Sequence, residues 1–291
     1  TTSPARLAAH ASPSPFGGPL TALAVAQFAP AADVGDNLRV VADFVERATS
    51  RGAEVILFPE YSSYFVDPFD ETLRENAQDL EGSFVRGLHE LARRHGVHIV
   101  AGLLERASDA ERVRNTVVAV GPEGLVASYR KLHLYDAFGQ RESDWVEPGE
   151  ITSPETFDVG GVRFALMTCY DLRFPEVARV LADTGAHVVL VPAQWVRGPL
   201  KELQWNTLLR ARAIENTLFV AAADHPPPLG VGNSGVFDPQ GVEIAAVGTS
   251  SDIAVAHVEA HAIERVRRVN PALRLRRFAV VPRSEGAGEP S

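Results

Sequence analysis

Two stretches of the chain repeat one another: residues 52–59 read GAEVILFP and residues 185–192 read GAHVVLVP. Each is an apolar run of strand length that starts after a glycine and ends at a proline, which is typical of a buried β-strand. Downstream of each copy, Asn115 or Asn233 opens a predicted hairpin whose turn contains Pro-x-Gly. Two matches in the same order favour two similar α/β halves packed sheet to sheet. The alternative is that a helix, a glycine and an apolar strand recur in any α/β protein.

Strand-like and helix-like segments alternate along the chain, and no Ser/Gly-rich or charged linker divides it. The predicted strands are apolar nearly throughout, so helices are expected to cover both sheets. Strands are predicted at 21–28, 54–59, 97–104, 162–169, 187–192 and 218–223, and a hairpin at 115–131. Helices are predicted at 33–50, with Asp33 as the N-cap, and at 82–95, 175–185 and 200–216. The sequence therefore predicts a single α/β domain over residues 20–283.

The composition is that of a globular protein with an acidic balance. The 291 residues are 45% apolar and carry a formal net charge of −9, which disfavours nucleic acids and anionic membranes as partners. The one cysteine excludes an intrachain disulfide and a thiolate zinc cluster. No apolar run reaches the roughly 20 residues of a membrane helix. Residues 1–19 and 284–291 are interpreted as flexible extensions, and the protein as cytoplasmic.

The candidate nucleophile is that cysteine, Cys169, at the end of the predicted strand 162–169. A nucleophile on a sharp strand-to-helix turn is exposed at the sheet edge, near backbone N–H groups that can stabilise an oxyanion. A lone cysteine is more often a small buried core residue. Here the residues that follow it include Tyr170, Asp171 and Arg173, and a core strand would not continue in this way. We therefore interpret Cys169 as a reactive thiol.

Two charged residues lie where predicted strands end and could activate such a thiol. Glu60 follows the first repeat, where a carboxylate can act as a general base. Lys131 ends the predicted hairpin, where an ammonium can lower a thiol pKa and neutralise an oxyanion. Each could equally be an ordinary surface charge, and the second repeat places uncharged Ala193 at the position of Glu60. The alternative is a Cys–His site, for which three histidines are candidates: His133, His187 and His225.

Three motifs decide between these alternatives. They are FPE at residues 58–60, RKLHLYD at 130–136 and CYDLRFPE at 169–176. In this order and at these separations they resemble the three motifs of the nitrilase, or carbon–nitrogen hydrolase, superfamily. Residues 204–216 and 232–241 are similar to later blocks of that superfamily, so the resemblance covers roughly residues 20 to 282.

The resemblance implies a role for each candidate. Glu60 would be the general base, Lys131 the cation that stabilises the oxyanion, and Cys169 the nucleophile that forms a thioester. Glu142 matches the family's second glutamate, which orients the lysine and the substrate. The backbone N–H of Tyr170 would complete the oxyanion site. The family fold is a four-layer α-β-β-α sandwich that usually forms homodimers, and no metal or organic cofactor is implied.

The last two motifs are most similar to the Nit branch, which contains deaminated glutathione amidase and omega-amidase. The resemblance implies an enzyme that releases ammonia from the terminal amide of a small carboxylate-bearing compound. Arg173 or Arg197 could bind that carboxylate, although Arg173 could instead brace its loop through Asp171. The bulky Trp195, after the second repeat, is expected to shape the pocket.

Other functions stay open at this point. An N-carbamoyl amide or an aliphatic amide could be the substrate, and a nitrile is less favoured. A non-catalytic binding or scaffold protein on the same fold belongs to a different class. A redox-sensing thiol protein is disfavoured because a second cysteine is missing. A homodimer is expected across the helices after Cys169 and Pro199, where residues 177–181 and 203–209 are rich in apolar side chains.

Overall fold

The computed structural model describes residues 20–109 and 111–283, so the extensions predicted at 1–19 and 284–291 lie outside the described residues. Within the described residues there are twelve strands and six α-helices. The first part of the chain contains β1 (Thr21–Gln27), α1 (Val34–Ser50), β2 (Val55–Leu57), α2 (Thr72–Asn76), α3 (Ser83–His95), β3 (His98–Arg106), β4 (Val113–Gly121) and β5 (Gly124–Arg130). The second contains β6 (Thr156–Val159), β7 (Val162–Leu166), α4 (Pro175–Asp183), β8 (Val188–Pro192), α5 (Lys201–Asn216), β9 (Phe219–Ala223), β10 (Gly235–Phe237), β11 (Glu243–Ala246), β12 (Asp252–Val258) and α6 (Ala260–Val269).

The strands form two six-stranded sheets with the same internal order. The first runs β12-β1-β2-β3-β4-β5 and the second runs β6-β7-β8-β9-β10-β11. In each sheet the strand that carries the repeat, β2 or β8, lies between two parallel neighbours, and the other pairings are antiparallel. The registers correspond as well, since Val55 pairs with Leu23 and Val188 pairs with Phe164. The predicted pair of similar halves is confirmed.

Alternation along the two repeats explains why the sheets stack. In β2, Val55 and Leu57 enter the core between the two sheets, whereas Ile56 faces the core beneath α1 and α3. The second repeat follows the same pattern, with Val188 in the central core and Val189 beneath α4 and α5. Because both faces of these strands are apolar, helices cover the outer side of each sheet. The predicted four-layer α-β-β-α sandwich is therefore confirmed.

Local signals in the sequence place the helices. Asp33 caps α1 as predicted, since its carboxylate accepts a hydrogen bond from the N–H of Asp36. Pro175 lies in the first turn of α4, also as predicted. Gly52 and Gly185, which open the two repeats, both have a φ of +83°. A side chain would strain the backbone there, so the turn from helix to strand requires glycine.

One strand is shorter than the sequence predicts, and this shapes the site. A strand is expected over 162–169, but β7 ends at Leu166. Thr168 and Asp171 form a capping box that starts a 3₁₀ turn at Cys169. Cys169 itself has a φ of +47°. The chain therefore leaves the sheet before the cysteine rather than after it.

Four elements have no counterpart in the sequence-based prediction: α2, β6, β12 and α6. The strands β6 and β12 lie beside β7 and β1 and are partly exposed, so their apolar pattern is interrupted. No helix among residues 20–109 and 111–283 is long and apolar enough to span a bilayer.

Candidate active site

Cys169 lies beyond the carboxyl end of β7, at the start of the 3₁₀ turn, and is 6% exposed. The turn is anchored by Thr168, whose hydroxyl donates to the carbonyl of Pro192 at 2.8 Å. The Cys169 sulfur lies 3.5 Å from the carbonyl oxygen of Gln194, to which the thiol donates. The strained backbone of Cys169 thus holds the sulfur against the loop that follows β8.

Asp171 is fully buried and fixes the loop that carries the thiol. Its carboxylate accepts hydrogen bonds from the Tyr129 hydroxyl at 2.8 Å and from the backbone N–H and ring Nδ1 of His133 at 3.0 and 2.7 Å. The ring of His133 also stacks on Phe174, with the ring centroids 3.7 Å apart. These contacts assign His133 to the support of the loop.

Glu60, Lys131 and Glu142 meet in one buried cluster. The Nζ of Lys131 lies 3.0 Å from Oε1 of Glu60 and 2.8 Å from Oε2 of Glu142. Glu60 follows β2, Lys131 follows β5, and Glu142 begins a 3₁₀ turn. All three side chains are buried. Two carboxylates therefore share one ammonium in a region from which water is largely excluded.

Neighbouring donors complete the hydrogen bonding of the two carboxylates. The amide of Asn115 donates to Oε1 of Glu60 at 2.6 Å and to Oε1 of Glu142 at 3.1 Å. Glu142 also accepts from the Tyr61 hydroxyl at 2.7 Å and from the N–H of Tyr135 at 2.6 Å. Sequence reasoning noted Asn115 only as the start of a hairpin and missed Tyr61. The available signal was a polar residue inside a buried strand, since such a group needs a partner.

Glu60 also connects the two halves. Its Oε2 accepts from the N–H of Gln194 at 2.6 Å, and its backbone carbonyl accepts from Nε2 of His225 at 2.7 Å. His187, the third candidate histidine, accepts from the N–H of Arg163 at 2.9 Å. In the described structure none of the candidate histidines hydrogen-bonds the thiol.

Burial and neighbouring charge set the protonation of the site. Burial raises the pKa of Cys169 well above its usual value, and the Glu60 carboxylate raises it further. Lys131 lowers this pKa, as the sequence predicts, but is outweighed. Burial alone would lower the pKa of Lys131, but the charges of Glu142 and Glu60 hold it well above its usual value. The resting site therefore combines a neutral thiol with an ammonium.

A small pocket opens over Cys169. Its walls are largely aromatic and cationic, and they are formed by Tyr135, Cys169, Tyr170, Arg173, Gln194, Trp195, Val196 and Lys201. Three residues singled out in the sequence, Tyr170, Arg173 and Trp195, therefore lie at the pocket. Arg197 does not line this pocket. Its side chain is half exposed and lies 4.0 Å from Glu202. Within residues 20–109 and 111–283, no three His, Cys, Asp or Glu side chains are grouped so that they could hold a metal ion.

Two cations belong to this pocket. Arg173 donates to the side chain of Gln204 at 2.6 Å and lies over the ring of Trp195, so it does not brace its loop through Asp171. Lys201, at the start of α5, donates to the Tyr135 hydroxyl at 2.8 Å. Sequence reasoning missed Lys201, because a lysine in the first turn of a helix is ordinarily solvated.

Known proteins resemble this chain along most of its length. The carbon-nitrogen hydrolase family model matches residues 22–268. The deaminated glutathione amidase of Escherichia coli O157:H7 is 37% identical over 257 residues, which cover 88% of this chain and 97% of that protein. The omega-amidase NIT2 of Homo sapiens is 30% identical over 256 residues, which cover 83% of this chain and 90% of that protein.

The fold is likewise shared with a solved structure. Nit3 of Saccharomyces cerevisiae, a member of branch 10 of the nitrilase superfamily, superposes with a TM-score of 0.78 at 27% identity. The match covers 92% of this chain and 100% of that chain. The family match, these relatives and the shared fold agree with the three sequence motifs, and the chain belongs to the carbon–nitrogen hydrolase family.

Proposed function

We propose that the protein is a thiol amidase that hydrolyses the terminal amide of a small carboxylate-bearing compound and releases ammonia. The observation that carries this proposal is the Glu60 carboxylate, which lies 3.0 Å from the Lys131 ammonium and accepts from the N–H of Gln194, the residue whose carbonyl accepts from the Cys169 thiol. In this proposal Glu60 acts as the base, Lys131 as the cation and Cys169, which lines the pocket, as the nucleophile. Relatives named deaminated glutathione amidase and omega-amidase support an amide as the substrate.

Acylation uses the convergence of these groups. Glu60 takes the thiol proton while the Cys169 sulfur attacks the amide carbon, and the π electrons of the carbonyl move to its oxygen. The Lys131 ammonium and the backbone N–H of Tyr170 stabilise this oxyanion. Glu60 then gives its proton to the nitrogen, the C–N bond breaks, and ammonia leaves a thioester on Cys169. Because the resting thiol is neutral, the proton transfer accompanies the attack.

Deacylation uses the same base. Glu60 takes a proton from water, whose oxygen attacks the thioester carbon and again places an oxyanion beside Lys131. The C–S bond breaks, and Cys169 recovers its proton from Glu60. The net reaction converts an amide and water into a carboxylic acid and ammonia. Glu142 acts as a positioning residue, since it holds Lys131 at 2.8 Å and is itself fixed by Tyr61.

Arg173 is the proposed ligand of the substrate carboxylate. Its Nη2 is bound to Gln204, but its buried Nε has no hydrogen-bond partner among the described residues. The guanidinium lies 4.9 Å from the ring centroid of Trp195, which limits its orientation. A carboxylate suits such a fixed guanidinium, because charge-assisted hydrogen bonds between the two are strong and directional. Arg197 is not proposed for this role, because it is half exposed outside the pocket.

Ammonia release tests the proposal. We expect turnover of carboxylate-bearing amides, loss of turnover in Cys169→Ala, and an acyl group on the Cys169 peptide after rapid acid quenching, detected by mass spectrometry. A preference for N-carbamoyl compounds or neutral aliphatic amides would select the alternative hydrolases of the family. Absence of turnover across amides, carbamoyl amino acids and nitriles, with the fold intact, would favour a non-catalytic binding protein.

We further propose a homodimer that uses the outer face of α5. The apolar residues predicted at the interface on α4 instead cover their own sheet, since Val177 and Leu181 are buried. On α5, Leu203 is 62% exposed and Ile214 is 49% exposed. Sedimentation that finds only monomer at micromolar concentration would contradict the dimer. The cytoplasmic location stays a prediction from the sequence.

A further inference from the structure

Lys201 is a buried cation that has no acidic partner in the described part of the chain. Lys201 is 5% exposed, and its ammonium lies over the ring of Phe138, 3.8 Å from the centroid. Its hydrogen bond goes to the neutral hydroxyl of Tyr135. Among the described residues it forms no ion pair with an acidic side chain. Burying an ammonium in this way is unfavourable unless a further group compensates it.

A second cation shares the pocket with Lys201. Arg173 also forms no ion pair among the described residues. Gln204, which holds Arg173, lies about one turn after Lys201 on α5, so the start of one helix positions both cations. Burial and, after it, the charge of Arg173 lower the pKa of Lys201. The two positive charges oppose each other until an anion lies between them.

The backbone before Lys201 is strained. Leu200 has a φ of +61°, in the left-handed region, and its apolar side chain is 65% exposed. The carbonyl of Lys201 accepts from the indole N–H of Trp195 at 3.1 Å. A turn that exposes a leucine and buries a lysine is unfavourable for stability by itself. Such strain is found where a side chain must be held for function.

We propose that Lys201 is a specificity-determining residue that binds, together with Arg173, the anionic end of the substrate. The inference rests on the proposed amidase function and deepens it. The substrate is then a monoamide of a short dicarboxylic acid, with its amide at Cys169 and its carboxylate between the two cations. The rings of Tyr135 and Trp195 line the same pocket and suit the methylene groups that join these ends. A neutral amide leaves both cations uncompensated and is discriminated against.

The first test compares anionic substrates with their neutral esters. Succinamate and glutaramate, the monoamides of the four- and five-carbon dicarboxylic acids, are compared with their methyl esters. In the wild-type protein the acids should have the lower KM. Lys201→Met should raise the KM for the acids by roughly 10- to 100-fold, since hydrogen bonds to charged groups are of this strength. The kcat for the acids and the KM for the esters should change by no more than a few-fold.

Two variants serve as controls for the charge. Lys201→Arg retains a cation and should keep most of the preference for the acids. Arg197→Met removes a nearby cation that does not line the pocket, and it should leave both KM values unchanged. Lys201→Gln, which can still donate to Tyr135, replaces Lys201→Met if the methionine variant does not fold.

Binding without turnover separates this inference from the proposed function. In a Cys169→Ala background, calorimetry should show that Lys201→Met weakens succinamate or glutaramate binding by the same factor as the KM. Lys201-dependent binding without hydrolysis by the wild-type protein would support the anion site and overturn the amidase function. Hydrolysis with an acid-to-ester preference that Lys201→Met leaves unchanged would overturn the inference and keep the function. If there is neither binding nor hydrolysis, both are overturned.

Discussion

The two repeats can be compared position by position within the two sheets. In each, the residue that precedes the strand accepts a hydrogen bond from a backbone N–H of the neighbouring strand. Glu54 accepts from Ala22 at 3.0 Å, and His187 accepts from Arg163 at 2.9 Å. A carboxylate and an imidazole thus make equivalent contacts. The scaffold tolerates a change of residue type here because only an acceptor is needed.

The two repeats differ in the residue that follows each strand, although the contacts before the strands are equivalent. Glu60 follows the first repeat, and buried Ala193 follows the second. The neighbouring strands β1 and β7 show the opposite distribution. By their register, the position after β1 in the first half is the buried apolar Phe28, and the equivalent position after β7 in the second half is Cys169. At these equivalent strand ends, the first half therefore carries a candidate site residue, Glu60, and an apolar residue. The second half carries Cys169 and an apolar residue. The candidate site therefore combines residues from both halves, which meet at Gln194.

The largest expected effect comes from removing Glu60, the proposed base, which the first half supplies. Glu60→Gln is nearly isosteric but cannot take a proton, and in the proposed mechanism Glu60 serves both acylation and deacylation. The kcat for ammonia release should fall by about 10⁴-fold or more, at or beyond the upper end of general-base effects. Circular dichroism should show an unchanged fold.

Glu54→Gln is the matched control for this variant. Its amide oxygen can still accept from Ala22, so the rate should stay within a few-fold of the wild-type rate. A Glu60→Gln protein that keeps its activity would contradict the role of the first half.

Lys131→Met tests the cation that joins the carboxylates. It should lower kcat by about 10²–10³-fold, the usual loss for one oxyanion donor. Since Glu60 and Glu142 would remain buried without their shared ammonium, the free energy of unfolding should also fall, by about 3 kcal/mol. Steady-state kinetics and urea unfolding measure the two effects. A stable protein with normal kcat would refute this assignment.

The pH dependence of stability tests the contact between the halves made by His225. Burial lowers the pKa of His225 from 6.5 to about 4. As the pH falls from about 6.5 to about 4, the unfolded chain takes up this proton before the folded protein does. The free energy of unfolding should therefore decrease over this range, by about 3 kcal/mol from this residue. Above pH 6.5 the contribution of His225 to the free energy of unfolding is fully retained.

His225→Gln isolates this contribution, since glutamine can still donate to the Glu60 carbonyl but does not titrate. Urea unfolding at pH 7 and pH 4.5 should show a smaller acid loss for the variant than for the wild-type protein. Equal losses would mean that His225 does not couple the halves through its protonation.

The smallest effect is expected at His133. Asparagine can replace its donor to Asp171, so His133→Asn should change kcat by less than about tenfold if the ring only supports the loop. Ammonia release measures this in parallel with Glu60→Gln. If His133→Asn is inactive and Glu60→Gln is active, the Glu–Lys–Cys assignment is wrong and a Cys–His site is favoured.

The fold was predictable to the extent that its signals are local. The repeats predict β2 and β8, Asp33 predicts the start of α1, and the glycines predict the turns that the structure contains. The edge strands β6 and β12 were not predictable, because partial exposure interrupts their apolar pattern. The end of β7 was misplaced because the capping box at Thr168 competes with a continued strand.

The residues of the candidate site likewise fall into those that local sequence signals predict and those that they do not. Cys169, Glu60 and Lys131 are visible in the sequence because each stands at the end of a predicted strand and within a motif. The interpretation of Arg197 as a carboxylate ligand is not supported, because spacing along the chain does not show which side of a loop faces the pocket. Lys201 was missed because a lysine in the first turn of a helix is ordinarily solvated, whereas here it lines the pocket.

By itself, the sequence determined the two halves and the family, since strand periodicity, glycine turns and motifs are properties of neighbouring residues. The tertiary structure alone decided which polar groups meet. Glu60 binds the N–H of Gln194, which is 134 positions away, and Asn115 reaches both Glu60 and Glu142. Buried charges are stable only where partners from distant segments converge. That convergence depends on how the two sheets stack, which no local pattern encodes.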